Sequence, residues 1–146
     1  MKLQSLVLLV LLCAVAQGKV FDRCEWYKFL KDNGMDGVGG GTLADWVCLT
    51  EHESNFNTQA LNRNKKDKKN RIFTDYGILQ ISSKYWCTDG GPNVANGCNI
   101  ACEKLFDPIE AIKCAKIVVK DPNGMKAWVA WKCRCQGQDL AKYVEG

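Results

Sequence analysis

The chain has 146 residues, with 20 Lys+Arg against 16 Asp+Glu, one histidine and nine cysteines. That length suits a single domain. The mild basic balance favours an anionic partner such as a bacterial wall but equally fits an ordinary soluble domain, and no nucleic acid is expected as a partner.

In chain order, Met1-Lys2 gives a positive start and Leu6 to Ala16 is uncharged and apolar. Ala14-Val15-Ala16 and Gln17-Gly18 then supply the small residues that precede a cut. This predicts a secretory leader over 1–18 and a secreted, extracellular domain over 19–146. The apolar run is too short for a membrane span, which needs about twenty residues, and no later segment qualifies. Cys13 leaves with the leader. Cys24, Cys48, Cys87, Cys98, Cys102, Cys114, Cys133 and Cys135 remain, and an even number in a short exported chain reads as a disulfide framework. Zinc is the competing use, but the Cys133-x-Cys135 pair is too tight for tetrahedral ligand spacing, so no metal is expected.

Trp26, Phe29 and Leu30 recur at helical spacing over Cys24 to Lys31, a first helix. Asn33 to Gly41 holds five glycines and reads as loop. It lacks the Gly-Lys-Ser/Thr ending of a phosphate cradle. Thr42 and Asp45 fit a capping box for a helix reaching Glu53, with Leu43, Trp46, Val47 and Thr50 on the buried face. Asn55 to Asn64 is polar and turn-rich. Arg71 to Tyr76 and Ile78 to Ile81 are short β-type runs, and Lys65 to Arg71 reads as a basic turn between strands. Asp107-Pro108 with Glu110 opens a later helix, with Ile109, Ile112, Ala115 and Val119 on one face. Ala127 to Lys132 reads as a shorter helix. Helices, a small β segment and helices again predict an α+β domain.

Chemistry narrows by exclusion. The one histidine, His52, has no G-x-S-x-G elbow to serve. The run from His52-Glu53 starts like a zinc-protease helix, but Phe56 replaces the second histidine. Carboxylates remain. Glu53 ends a helix of apolar character, and Asp75 sits on a β run between Thr74 and Tyr76. Two carboxyls in unlike settings suit glycoside hydrolysis, where one stays protonated as acid and the other stays ionised. Burial would raise the first and polar neighbours would keep the second low.

Five motifs carry a resemblance. They are Lys19 to Cys24, Glu53 to Ala60, Thr74 to Ile81, Tyr85-Trp86-Cys87 and Ala127 to Trp131. The chain resembles the C-type lysozymes over nearly the whole segment 19–146. The resemblance implies a lysozyme-like α+β fold, with a helical subdomain, a small antiparallel β subdomain and a cleft between them. It implies Glu53 as general acid and Asp75 as nucleophile or ion-pair stabiliser. Trp128 would pack on the acid, and Asn62, Asn64, Gln80, Ser82, Tyr85, Trp86, Asp121 and Ala127 would line a saccharide cleft. The flat faces of Tyr85 and Trp86 suit sugar rings. The implied substrate is bacterial peptidoglycan, cut between N-acetylmuramic acid and N-acetylglucosamine, with no cofactor and an antibacterial role. A monomer is expected.

Four departures from the family pattern stand out. Ser82 replaces an asparagine that would bond Asp75, and a hydroxyl can supply one bond in its place. His52 replaces a bulky aromatic and reads as an exposed residue, with tuning of a nearby acid as the alternative. Lys65 to Arg71 lengthens the hairpin, as a solvated tip or, alternatively, a cationic finger on wall polymer. The chain stops at Gly146, where the family continues to one more cysteine. The resemblance implies Cys48–Cys135, Cys87–Cys102 and Cys98–Cys114. It leaves Cys24 facing Cys133, either as a replacement bridge or, the favoured reading, as two free thiols. The rival class is a non-catalytic saccharide-binding or modulatory member of the lysozyme/alpha-lactalbumin family. Calcium is not expected, because Lys104 to Glu110 offers too few acidic oxygens.

Overall fold

Asp22 and Glu25 open the first helix by a reciprocal cap. The Asp22 carboxylate accepts from the Glu25 N–H at 2.7 Å, and Glu25 accepts from the Asp22 N–H at 3.1 Å. The resulting helix, α1, spans Arg23–Asp32 and buries Trp26 and Leu30. The computed structural model describes residues 18–145; apart from Gly18, the expected leader lies outside them.

The glycine-rich stretch is a loop with one short 3₁₀ turn, Val38–Gly40. The second helix, α2, spans Leu43–Ser54 and is capped by Thr42 and Asp45 as their spacing predicts. It buries the expected Leu43, Trp46, Val47 and Thr50, and also Cys48 and Leu49. Two successive left-handed residues, Asn55 (φ 53°) and Phe56 (φ 64°), end it and turn the chain toward the sheet.

The sheet is antiparallel, in the order β1 (Leu61–Lys66), β2 (Ile72–Tyr76) and β3 (Ile81–Ser82). Two expectations are corrected here. Lys65 and Lys66 belong to β1, paired with Phe73 and Ile72, rather than to the turn. The run Ile78 to Ile81 is not a strand: only Ile81 pairs, opposite Tyr76. Gly77 and Gln80 have φ of 80° and 48°, and the Gln80 N–H donates to the Gly77 carbonyl at 3.0 Å, closing a turn. Ile78 and Leu79 are fully buried inside that turn. A short apolar run has the same pattern in sequence whether it is a strand or a plug in the core.

The third helix, α3, spans Pro108–Val118, with the Asp107 carboxylate accepting from the Ile109 N–H. Its buried face is Ala111, Ile112, Cys114, Ala115 and Val118. The face is therefore rotated from the expected one, with Ile109 and Val119 only half-buried. The last helix, α4, spans Val129–Arg134, two residues later than expected, because Trp128 takes an extended conformation (φ −94°, ψ 109°) before it.

One apolar core runs through both halves and includes Trp26, Trp46, Leu49, Ile78, Leu79 and Leu105. Three disulfides brace it: Cys48–Cys135, Cys87–Cys102 and Cys98–Cys114. Cys24 and Cys133 are exposed free thiols. The fold is α+β, helices on one side and the small sheet on the other.

Candidate active site

A cavity of about 630 Å³ lies between the two halves. Glu53 reaches it from the last turn of α2, Asp75 from β2, and Trp128 from the entrance to α4. Gln80, Ser82, Tyr85, Trp86, Asp121 and Ala127 also line it. Of the expected lining residues, Asn62 and Asn64 are not among those that do. Asn62 sits opposite Asp75 in the ladder and donates to the Gln80 side-chain oxygen at 2.6 Å. Asn64 is exposed and left-handed, at φ 54°.

Burial dominates the charge state of Glu53. Loss of water pushes its carboxyl up to about 7, and the nearby Asp75 charge pushes the same way. Lys65 and the Ala130 N–H oppose the rise. Asp75 is 7% exposed. The Lys65 ammonium sits 2.9 Å from its Oδ2, and Ser82, its ladder partner, offers a hydroxyl. Burial still wins, so Asp75 lies above its ordinary value rather than below it. The polar neighbours limit this rise but do not reverse it, contrary to the sequence expectation.

The acid wall is built tightly. The Trp128 indole N–H donates to the Leu79 carbonyl at 2.8 Å, and its ring meets Trp46 edge-on at 5.4 Å. Ser54, next to Glu53, donates to the Ile78 carbonyl at 2.6 Å. The buried turn 77–80 is thus stitched to both α2 and the α4 entrance. Gln80 is spent within it: its amide N–H groups donate to the carbonyls of Ala60 and Gly77 at 3.1 and 2.9 Å. Tyr85, by contrast, is 47% exposed at the cleft, with the Lys84 ammonium over its ring.

Sequence reasoning missed Lys65, Phe73, Lys84, Asn123 and Lys126, which also line the cleft. Lys84 packs over the rings of Phe73 and Tyr85 and pairs with Asp67 at 2.7 Å. Asp67 also accepts from the Arg71 guanidinium at 2.6 Å, and Lys84 above all holds its carboxyl well below the usual range. The hairpin is therefore not a uniform basic tip. Lys66, Lys68 and Lys69 are exposed, while Lys65 and Arg71 have acidic partners.

His52 is exposed. With the Cys48 and Cys135 sulfurs it forms a group whose ligand-type atoms lie within 4.8 Å of one another. Both sulfurs are committed to a disulfide, so this group offers no thiolate to a cation. Asp107, in the segment considered for calcium, is committed as a helix cap.

The chain as a whole is similar to known proteins. The profile of the C-type lysozyme/alpha-lactalbumin family matches residues 19–146. Lysozyme C-1 of Mus musculus is 54% identical over 139 residues, covering 93% of this chain and 91% of its own length. Lysozyme C of Scophthalmus maximus is 54% identical over 142 residues, with 96% of each chain covered. The crystal structure of lysozyme from Equus asinus superposes with a TM-score of 0.78 at 49% identity, covering 86% of this chain and 95% of that one. Fold, identity and near-complete coverage agree, and the chain belongs to the C-type lysozyme/alpha-lactalbumin family.

Proposed function

We propose that this chain is a lysozyme, hydrolysing the β-1,4 bond between N-acetylmuramic acid and N-acetylglucosamine in bacterial peptidoglycan, with Glu53 and Asp75 as the reacting pair. The observation that carries the assignment of roles is the unlike setting of the two carboxyls across one cleft. Glu53 is pushed up to about 7, so it holds a proton through mildly acidic pH. Asp75 has a cation at 2.9 Å to stabilise its charged form.

Glu53 donates its proton to the glycosidic oxygen as the bond to the anomeric carbon breaks. Asp75 meets the positive charge that develops on the sugar, by attack or by ion pairing. Glu53, now a carboxylate, takes a proton from the water that completes hydrolysis. This division of roles is that of lysozymes at large. Tyr85 and Trp86 offer flat faces to sugar rings on the sheet side, and Asp121 and Ala127 line the opposite wall. Among the described residues no helix is long and apolar enough to cross a membrane. With three disulfides, this supports a secreted protein, which we take to act as a monomer.

The test is clearance of a bacterial cell-wall suspension by the oxidised protein and by Glu53→Gln. The wild type clears it, and the variant loses about a hundredfold or more in rate, as removal of a general acid should. Equal clearance by both would overturn the assignment. Sugar binding without clearance by either would favour a binding protein in its place.

A further inference from the structure

On a regular antiparallel ladder, the residue of β1 two places after Asn62 would lie opposite Phe73 and share a face with Asp75. Here the register slips. Asn62 opposes Asp75, but Lys65 rather than Asn64 opposes Phe73. The extra residue is a β-bulge, absorbed by Asn64 in the left-handed conformation, whose N–H donates to the Thr74 hydroxyl at 3.2 Å. The bulge moves Lys65 onto the cleft face of the strand. Its ammonium then ends 2.9 Å from Asp75 Oδ2 and 5.7 Å from the centre of the Phe73 ring.

We propose that Lys65 is a positioning residue of this cleft: its ammonium orients the Asp75 carboxylate and stabilises its charged form, and so sets the pH window in which the two carboxyls work together. The inference rests on the hydrolase reading above. The groups facing the pair can be named from every side. Asp75 faces Glu53 from α2, Lys65 from β1 and the Ser82 hydroxyl from β3. Glu53 faces Asp75, Lys65 and the Ala130 N–H of α4. Lys84, which also lines the cleft, is committed to Asp67, and Asp121 and Lys126 line the far wall. Lys65 is therefore the one cation that bears on both carboxyls among the described residues.

Its removal has a definite sign. Loss of a nearby positive charge makes both carboxyls harder to ionise. The acid limb of the activity profile follows ionisation of Asp75, and the alkaline limb follows loss of the Glu53 proton. Both limbs must move to higher pH together. A residue that merely shaped the hairpin would lower kcat or raise KM and leave the limbs in place.

The experiment compares kcat/KM against pH for wild type, Lys65→Gln and Lys65→Arg. Lys65→Gln should shift both limbs upward by about one pH unit, and Lys65→Arg should restore the wild-type limbs. Unmoved limbs, or limbs moving in opposite directions, would overturn the proposal. A parallel carbon NMR titration of the Glu53 and Asp75 carboxyls needs no turnover. If the wild type cleared no cell walls, the hydrolase reading would fall. The carboxyl shifts on Lys65→Gln would then still decide the role of Lys65, and unchanged midpoints would refute it.

Discussion

Glu53 shows what the cleft costs the fold. Its carboxyl moves from 4.5 to about 7 in the folded chain. Between those values the folded chain holds a proton that the unfolded chain has released, so stability falls as pH rises from 4.5 through 7. The full loss is about 3 kcal/mol. Glu53→Gln keeps the shape and abolishes the titration. Its stability relative to wild type should therefore improve by up to about 3 kcal/mol between about pH 4 and about pH 8. Urea unfolding at the two pH values checks this, and a difference that does not change with pH would show that Glu53 titrates normally. The two carboxyls were legible in the sequence because their neighbours form long ordered motifs. Lys65 was not. It lies in a run of lysines that reads as solvent-exposed turn, and only a one-residue slip of register turns it inward. Nothing in hydrophobic patterning records such a slip, because both Asn64 and Lys65 are polar.

At the scale of elements, the helices were legible and the sheet was only partly so. Thr42 and Asp45 announce α2, as Asp107-Pro108 announces α3, because caps are local chemistry. The turn 77–80 is set by tertiary contacts instead. Ile78 and Leu79 are buried, and their carbonyls are taken by Ser54 and Trp128, both far away in sequence. Gly77 permits this turn. Its φ is 80°, and a Cβ there would collide with the Leu105 carbonyl oxygen. Gly90 has the same φ of 80°, but a Cβ added there would meet nothing within 4 Å. Gly90→Ala should thus cost only the left-handed strain, about 1 kcal/mol. Gly77→Ala should cost at least about 2 kcal/mol more, because backbone must also move. It should lower activity as well, since that backbone adjoins β2 and Asp75. Denaturant midpoints of the two variants decide it, and equal losses would mean that the Leu105 contact yields freely.

Across the whole molecule, the bridges divide into those that hold the cleft and those that hold other walls. Cys48–Cys135 closes 87 residues and ties α2, which carries Glu53, to the end of α4, whose Ala130 N–H meets the Glu53 carboxylate. Cys87–Cys102 and Cys98–Cys114 close 15 and 16 residues on the sheet side and around α3. Loop-closure entropy makes the long bridge worth about 4 kcal/mol. The bridge joins the two elements that meet at Glu53, and burial is the largest cause of its raised carboxyl. Replacing Cys48 and Cys135 together by Ala should therefore do two things at once. Stability should fall by about 4 kcal/mol, and the alkaline limb of activity should move to lower pH as water reaches Glu53. Cys24 on α1 and Cys133 on α4 supply the control, because both are exposed and unbridged. Replacing them by Ser should change stability by less than about 0.5 kcal/mol and leave both limbs where they were. A thiol titration of unfolded, unreduced protein over residues 19–146 should find these two and no others. If the double Ala variant lost stability without moving the limb, the acid's environment would be set by Trp128 and the buried turn alone, not by the bridge that joins its helix to α4.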